Sequence, residues 1–245
     1  MYHSVTIGSM NTYTDWHLVP DGRPVIAMPE VRTNYVDVPG MNGSLDLTES
    51  LTGYPLYNNR EGELLFHVLN GHERWEILQQ RIASYLHGRV HKVILEDDSD
   101  WFYQGRISFD EWVSNNDGTW SDVKLSYTLD PYKYRTVESN IETPSLYSNI
   151  TVSNSTVTKV LGGTGSIGGM PLVPEFVLSN VAGSGVTITL NNSELGITNL
   201  SKTVNSNGSR KYYDMVLSDL SGENTCNLTF SGQGRVTVKF RRGSL

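Results

Sequence analysis

The stretch Val31–Phe66, VRTNYVDVPGMNGSLDLTESLTGYPLYNNREGELLF, decides how the rest of the chain is read. It starts as an alternating strand with Val31, Thr33 and Tyr35 on one face. It breaks at Pro39-Gly40 and again at Asn42-Gly43, and restarts as SLDLTESL. Both dipeptides punctuate strands, and Asn-Gly is a strong short-range hairpin signal. A polar connection from Tyr54 to Arg60 then leads into the apolar strand Glu63–Leu69, which reads as buried on much of both faces. The segment carries no nucleophile, metal cluster or phosphate loop. Its chemistry is that of backbone shape and contact.

Outward from it, both flanks read as β. Before it lie short strand candidates at Ser4–Ile7 and Thr12–Val19. After it, Trp75, Leu78, Ile82, Tyr85 and Leu86 recur at three- and four-residue spacing, which predicts a helix over Gly71–Leu86 laid against a sheet. Asn70 with Glu73 resembles a capping box, and Gly88 suits the exit. Strands His91–Leu95 and Trp101–Val113 follow. A turn at Asn116-Asp117-Gly118 leads to a returning strand with Val123, Leu125, Tyr127 and Leu129 on its apolar side.

All five Trp and all six His precede residue 121, and beyond Asp130-Pro131-Tyr132-Lys133 the chain turns rich in Ser, Thr, Asn, Gly and Val. That shift places a domain boundary near residue 135, giving domains 1–135 and 136–245. The second half reads as strands at Leu172–Leu178, Val186–Leu190, Lys211–Leu217, Asn224–Phe230 and Arg235–Phe240. Turns at Ala182-Gly183, Asn207-Gly208, Ser221-Gly222 and Gly232-Gln233-Gly234 separate them, the spacing of a β-sandwich. The fold class expected is mainly β, with one packed α-helix.

Charge and composition narrow the function classes. The net charge is -7, with -8 in residues 1–135 and +1 in the remainder. An acidic first half without a basic aromatic-interleaved run argues against binding a phosphate backbone. No run approaches the ~18 apolar residues that span a bilayer, and the start MYHSVTIGSMNTYTDW lacks a leader's apolar core. No membrane anchor is expected, and synthesis in the cytoplasm is. The single Cys226 forbids an internal disulfide and reads as a packing thiol in TCNLTF.

Chemical motifs are thin. Gly163, Gly165 and Gly168 match G-x-G-x-x-G, but Met170-Pro171 and a strand follow where a dinucleotide site needs a helix. His87 and His91, followed by Glu96, Asp97, Asp98 and Asp100, have metal-ligand types, yet Gly88 breaks a shared helix face. Cations at a helix end and a solvated acidic turn account for them better. Asp110-Glu111 lacks the paired placement of a glycosidase, since neighbours on a strand point to opposite faces. No G-x-S-x-G elbow is present. No catalytic residue, metal or cofactor is assigned.

The phrases Trp16–Phe66 (WHLVPDGRPVIAMPEVRTNYVDVPGMNGSLDLTESLTGYPLYNNREGELLF), Tyr85–Trp112 (YLHGRVHKVILEDDSDWFYQGRISFDEW) and Leu129-Asp130-Pro131-Tyr132-Lys133 occur in an order that resembles siphophage distal tail proteins. The end of the chain, SGENTCNLTFSGQGRVTVKFRRGSL, is similar to the close of that family's galectin-like C-terminal sandwich. The likeness is weakest from about Thr136 to Met170. It implies a β-sandwich-like N-terminal ring domain and a galectin-like, jelly-roll C-terminal domain. It implies a homohexamer between the tail tube protein and the tail-tip hub, located at the virion tail tip after assembly in the bacterial cytoplasm. It also implies peripheral receptor-binding proteins on the C-terminal domains, and DNA passing through the channel without specific binding.

On this resemblance an inter-subunit arm falls within Asn34–Arg60, with Tyr35, Asp37, Asn59 and Arg60 as candidate polar interface residues; the plainer alternative is a surface Ω-loop. A second function class is a carbohydrate-binding module that contacts the host wall. Tyr212-Tyr213 is then the candidate platform, although a strand pair normally puts one ring inside.

Overall fold

The computed structural model describes residues 2–69, 74–114, 120–136, 150–162, 170–218 and 225–245. The chain divides into two compact units, Met1–Thr136 and Val137–Ser244. It is an all-β protein with one helix among the described residues.

The first unit contains β1 (Val5–Ile7), β2 (Met10–Asn11), β3 (Leu18–Pro20), β4 (Tyr35–Asp37), β5 (Ser44–Asp46) and β6 (Arg60–Val68). Helix α1 (Trp75–Leu86) follows, then β7 (Arg89–Leu95), β8 (Trp101–Ser114), β9 (Ser121–Leu129) and β10 (Lys133–Arg135). The main sheet runs β2-β1-β7-β8-β9-β6-β3, with β10 on β8. Its pairings are antiparallel. Such strands need one buried face, and β9 alternates accordingly, with Val123, Leu125, Tyr127 and Leu129 inside. Strand β6 alternates as well. Leu64, Phe66 and Val68 are buried while Leu65 is 49% exposed, so the expectation of burial on both faces gives way to one apolar side.

Helix α1 closes that side with Leu78, Ile82 and Leu86, each burial stabilising by about 1.5–3 kcal/mol. At its end the His87 N–H donates to the Ala83 carbonyl, and Gly88, at φ +69, turns the chain into β7. The first described helical residue is Trp75. Asn70 and Glu73, proposed as its cap, lie outside the described residues, as does the Asn116-Asp117-Gly118 turn. The strand expected over Thr12–Val19 is a turn followed by β3. Asn11 Oδ1 accepts the Tyr13 and Thr14 N–H groups at 2.9 and 3.1 Å, and Asp15 Oδ2 accepts the Asn11 N–H at 2.7 Å. Side chain-to-backbone bonds of this kind displace strand pairing.

The second unit contains β11 (Ile150–Ser153), β12 (Val157–Gly162), β13 (Glu175–Ser179), β14 (Val186–Asn192), β15 (Ile197–Val204), β16 (Gly208–Lys211) and β17 (Thr225–Lys239). Strand β17 organises it. Its first half pairs with β12 and β14, and its second half with β11 and β13. The two halves send Cys226, Leu228 and Phe230, then Val236 and Val238, into one core. Two strands separated by a turn at Gly232-Gln233-Gly234 were expected; the structure has one strand that bends there. Gly232, at φ +105, permits the bend, and a Cβ on it would sit 2.0 Å from the Gly185 carbonyl oxygen. The strand expected over Lys211–Leu217 ends at Lys211. The Met215 N–H then donates to the Tyr212 carbonyl, and Leu217 rejoins by a bridge to Leu172.

A candidate intersubunit arm and its root

Within the first unit, the stretch between β3 and β6 leaves the main sheet as a two-legged excursion. Its legs are tied by an antiparallel bridge between Val31 and Tyr57. The Arg32 N–H donates to Leu56 O, and the Asn58 N–H donates to Glu30 O, both at 2.8 Å. Beyond the legs, β4 and β5 form a two-stranded sheet that pairs with nothing else among the described residues. Gly40 and Gly43, at φ +84 and +79, turn the chain between them, as the Pro-Gly and Asn-Gly signals require.

Register sorts the hairpin into two faces. Tyr35 pairs with Asp46 and Asp37 with Ser44, making one polar face on which Ser44 Oγ donates to Asp37 at 2.6 Å. Val36 pairs with Leu45 on the other face. Both faces are open to solvent, and so are Val38, Met41 and Leu51, the last at 96%. Hydrogen bonds from the Thr48 side chain and backbone hold the Asp46 carboxyl below its ordinary range.

Of the four candidate interface residues, Tyr35 and Asp37 lie on the polar face of the hairpin. Asn59 is exposed at the arm's root, beside Glu30, Arg32 and Glu61 in a cleft of about 420 Å³. Arg60 departs from its expected place, being 1% exposed. Its Nη1 donates to Ala27 O at 2.7 Å, its Nε donates to Pro131 O at 2.8 Å, and its guanidinium lies 5.4 Å over the Tyr103 ring. Burial pulls its pKa down, and Nη2 has no hydrogen-bond partner. A guanidinium held this way by backbone carbonyls inside one unit does not reach a neighbouring surface. Next to it, Tyr132 stands edge-on to Tyr57 at 5.8 Å, and burial with Tyr57 and Tyr54 nearby pushes its phenol up to about 12.

Tyr212 and Tyr213 do not form one platform. Tyr212 is half-buried, its ring 6.3 Å from Phe176, whereas Tyr213 is 81% exposed. The acidic run after β7 lies at the surface as expected, with Glu96, Asp97 and Asp100 exposed, and is also pinned by partners. Glu96 accepts the Ser4 N–H at 2.7 Å, Asp97 pairs with His3 and Arg23 at 2.8 and 2.9 Å, and Asp98 pairs with Lys133 at 2.7 Å. His91 stacks on Tyr85, while the His87 ring approaches Phe109 O at 3.2 Å. Asp110 sits at a bulge and faces Lys124 at 3.4 Å. The glycine run at Gly163, Gly165 and Gly168 lies outside the described residues.

Tyr127, whose hydroxyl accepts the Ala27 N–H at the arm's root, was expected only on the apolar side of β9, and Tyr132 only at the domain boundary. Gly62, which lies against Tyr127, had no expected role. The lone glycine inside strand β6 was their one visible signal, because such a glycine marks close approach of another chain segment.

No family model matches the chain, and no curated protein matches it. Among solved structures, it is similar over the full length of both chains to the crystal structure of the Dit (gp 19.1) protein of SPP1, described as a paradigm of the hub adsorption apparatus in phages infecting Gram-positive hosts. The TM-score is 0.57 and the identity 13%. At that identity the likeness is one of fold: this chain has a fold similar to that of a phage hub-adsorption protein.

Proposed function

We propose that this chain is a structural component of a phage tail, six copies of which form a ring at the distal end of the tail tube. One observation carries this reading: the β4–β5 hairpin stands apart from the unit's own sheet with an open apolar face. An isolated two-stranded hairpin is marginal in water. Burial of Val36 and Leu45 against a second copy supplies the missing stabilisation, and a head-to-tail contact of that kind closes into a ring. The fold shared with a hub-adsorption protein supports the same reading.

In this reading the first unit builds the ring between tube and tail-tip hub. The second unit, galectin-like in this account, holds peripheral host-recognition proteins. The net charge of -8 over residues 1–135 suits a channel through which DNA passes without sticking. The role is one of assembly rather than catalysis, played at the virion tail tip. Carbohydrate binding at Tyr212-Tyr213 loses support because only one of the two rings is open.

Negative-stain imaging of the purified full chain tests the proposal. Six-membered rings are expected, and a field of single compact particles at every concentration would count against it.

A further inference from the structure

We infer that Arg60, Gly62 and Tyr127 form an anchor that grips Ala27 by both of its backbone groups and so fixes the direction in which the arm leaves the main sheet. These are positioning residues, acting through the chain they hold. Ile26, 6% exposed in the core, lies between Val25 and Met28, each 71% exposed, and is the last buried residue before Arg60. Ala27 is the point of departure. Its N–H donates to the Tyr127 hydroxyl at 3.3 Å, and its carbonyl accepts from Arg60 Nη1 at 2.7 Å.

The geometry depends on Gly62. It lies opposite Tyr127 in the β6–β9 register, and a Cβ there would sit 2.4 Å from the Tyr127 oxygen. With hydrogen alone at that position, the phenol crosses β6 and reaches Ala27. Arg60, two residues earlier on the same side of β6, adds a second function. Its Nε donates to Pro131 O, next to the Tyr132 ring that meets Tyr57 on the returning leg. Outgoing and returning legs are therefore tied to the same Pro131-Tyr132 platform. A buried guanidinium needs such partners, since leaving its donors unmet is costly.

The anchor stands on geometry within one unit; its consequence for assembly rests on the proposed ring. The test is hydrogen exchange by mass spectrometry on the full chain, wild type against Tyr127→Phe and Arg60→Lys, below the concentration at which it assembles. Tyr127→Phe removes one hydrogen bond with little change of shape. Peptides over residues 26–33 are expected to exchange about tenfold faster, while those of β7 and β8 stay unchanged. Arg60→Lys is expected to loosen residues 55–59 as well. Unchanged exchange of the legs in Tyr127→Phe would overturn the inference, as would an equal rise in β7 and β8, even if Arg60→Lys fails to fold. Mass by light scattering at higher concentration separates the two ideas. Loosened legs in a chain that never assembles leave the anchor standing and remove the ring, whereas a ring whose legs ignore both variants does the reverse.

Discussion

Val36 lies directly opposite Leu45 across the β4–β5 hairpin, and the two side chains are 42% and 43% exposed. Cross-strand apolar pairs are the unit of sheet stabilisation, but among the described residues this one has no second layer in its own unit. Val36→Asp should therefore leave the isolated chain's stability within about 0.5 kcal/mol, measured by denaturant unfolding. A much larger loss would mean that the hairpin is already buried in the single chain.

His67 ties three strands. Its ring N–H groups meet Asp122 on β9 at 2.5 Å and Asp21, just beyond β3, at 2.8 Å. The hydrogen bond to Asp122, then that to Asp21, raises its pKa above the ordinary value of 6.5. Because the folded value is the higher, the contribution is full below the unfolded pKa and is lost as pH rises through the folded one. The ring is half exposed, so the effect stays within about 1 kcal/mol. The stability difference between wild type and His67→Gln should be largest near pH 6 and shrink toward alkaline pH. A difference that grows with pH would contradict the pairing.

Gly232 and Gly196 make a matched pair of tests. Both have positive φ, +105 and +64, but a Cβ at Gly232 meets Gly185 O at 2.0 Å whereas one at Gly196 meets nothing within 4 Å. Gly196→Ala should cost about 1 kcal/mol. Gly232→Ala should cost about 3 kcal/mol or more, since strain and clash combine. Both are read from the unfolding of the full chain, and equal losses would mean that β17 does not depend on the bend at Gly232.

Tyr212→Ala should cost about 2 kcal/mol, because its ring packs toward Phe176, whereas Tyr213→Ala should be neutral within about 0.5 kcal/mol. A glycan array run on wild type and Tyr213→Ala should show no binding lost through that ring. Sugar binding abolished by Tyr213→Ala would restore the carbohydrate reading.

Much of the first unit is legible in the sequence because its signals are local. The helical stripe Leu78, Ile82, Leu86 and the alternation along β9 need only a period and a core. Arg60 shows the limit. It follows Asn59 and precedes Glu61 in a polar stretch, and the carbonyls that bury it belong to Ala27 and Pro131, 33 and 71 residues away. No local pattern encodes those distances. Strand β17 fails for the opposite reason. Gly232-Gln233-Gly234 is sound turn chemistry, but continuous pairing with β14, β11 and β13 overrides it. Strands β11, β12 and β15 were missed in Ser-, Thr- and Asn-rich sequence, where apolar alternation is short or interrupted, as at Asn199 (φ +52) in β15.

The most direct measurement is the mass in solution, by size exclusion with light scattering, of wild type and Val36→Asp side by side at matched concentrations. The wild type is expected as a species of six chains of 27.3 kDa each, and the variant as a single chain. Identical masses for the two proteins, whether both assembled or both single, would contradict the claim that this hairpin joins one copy to the next.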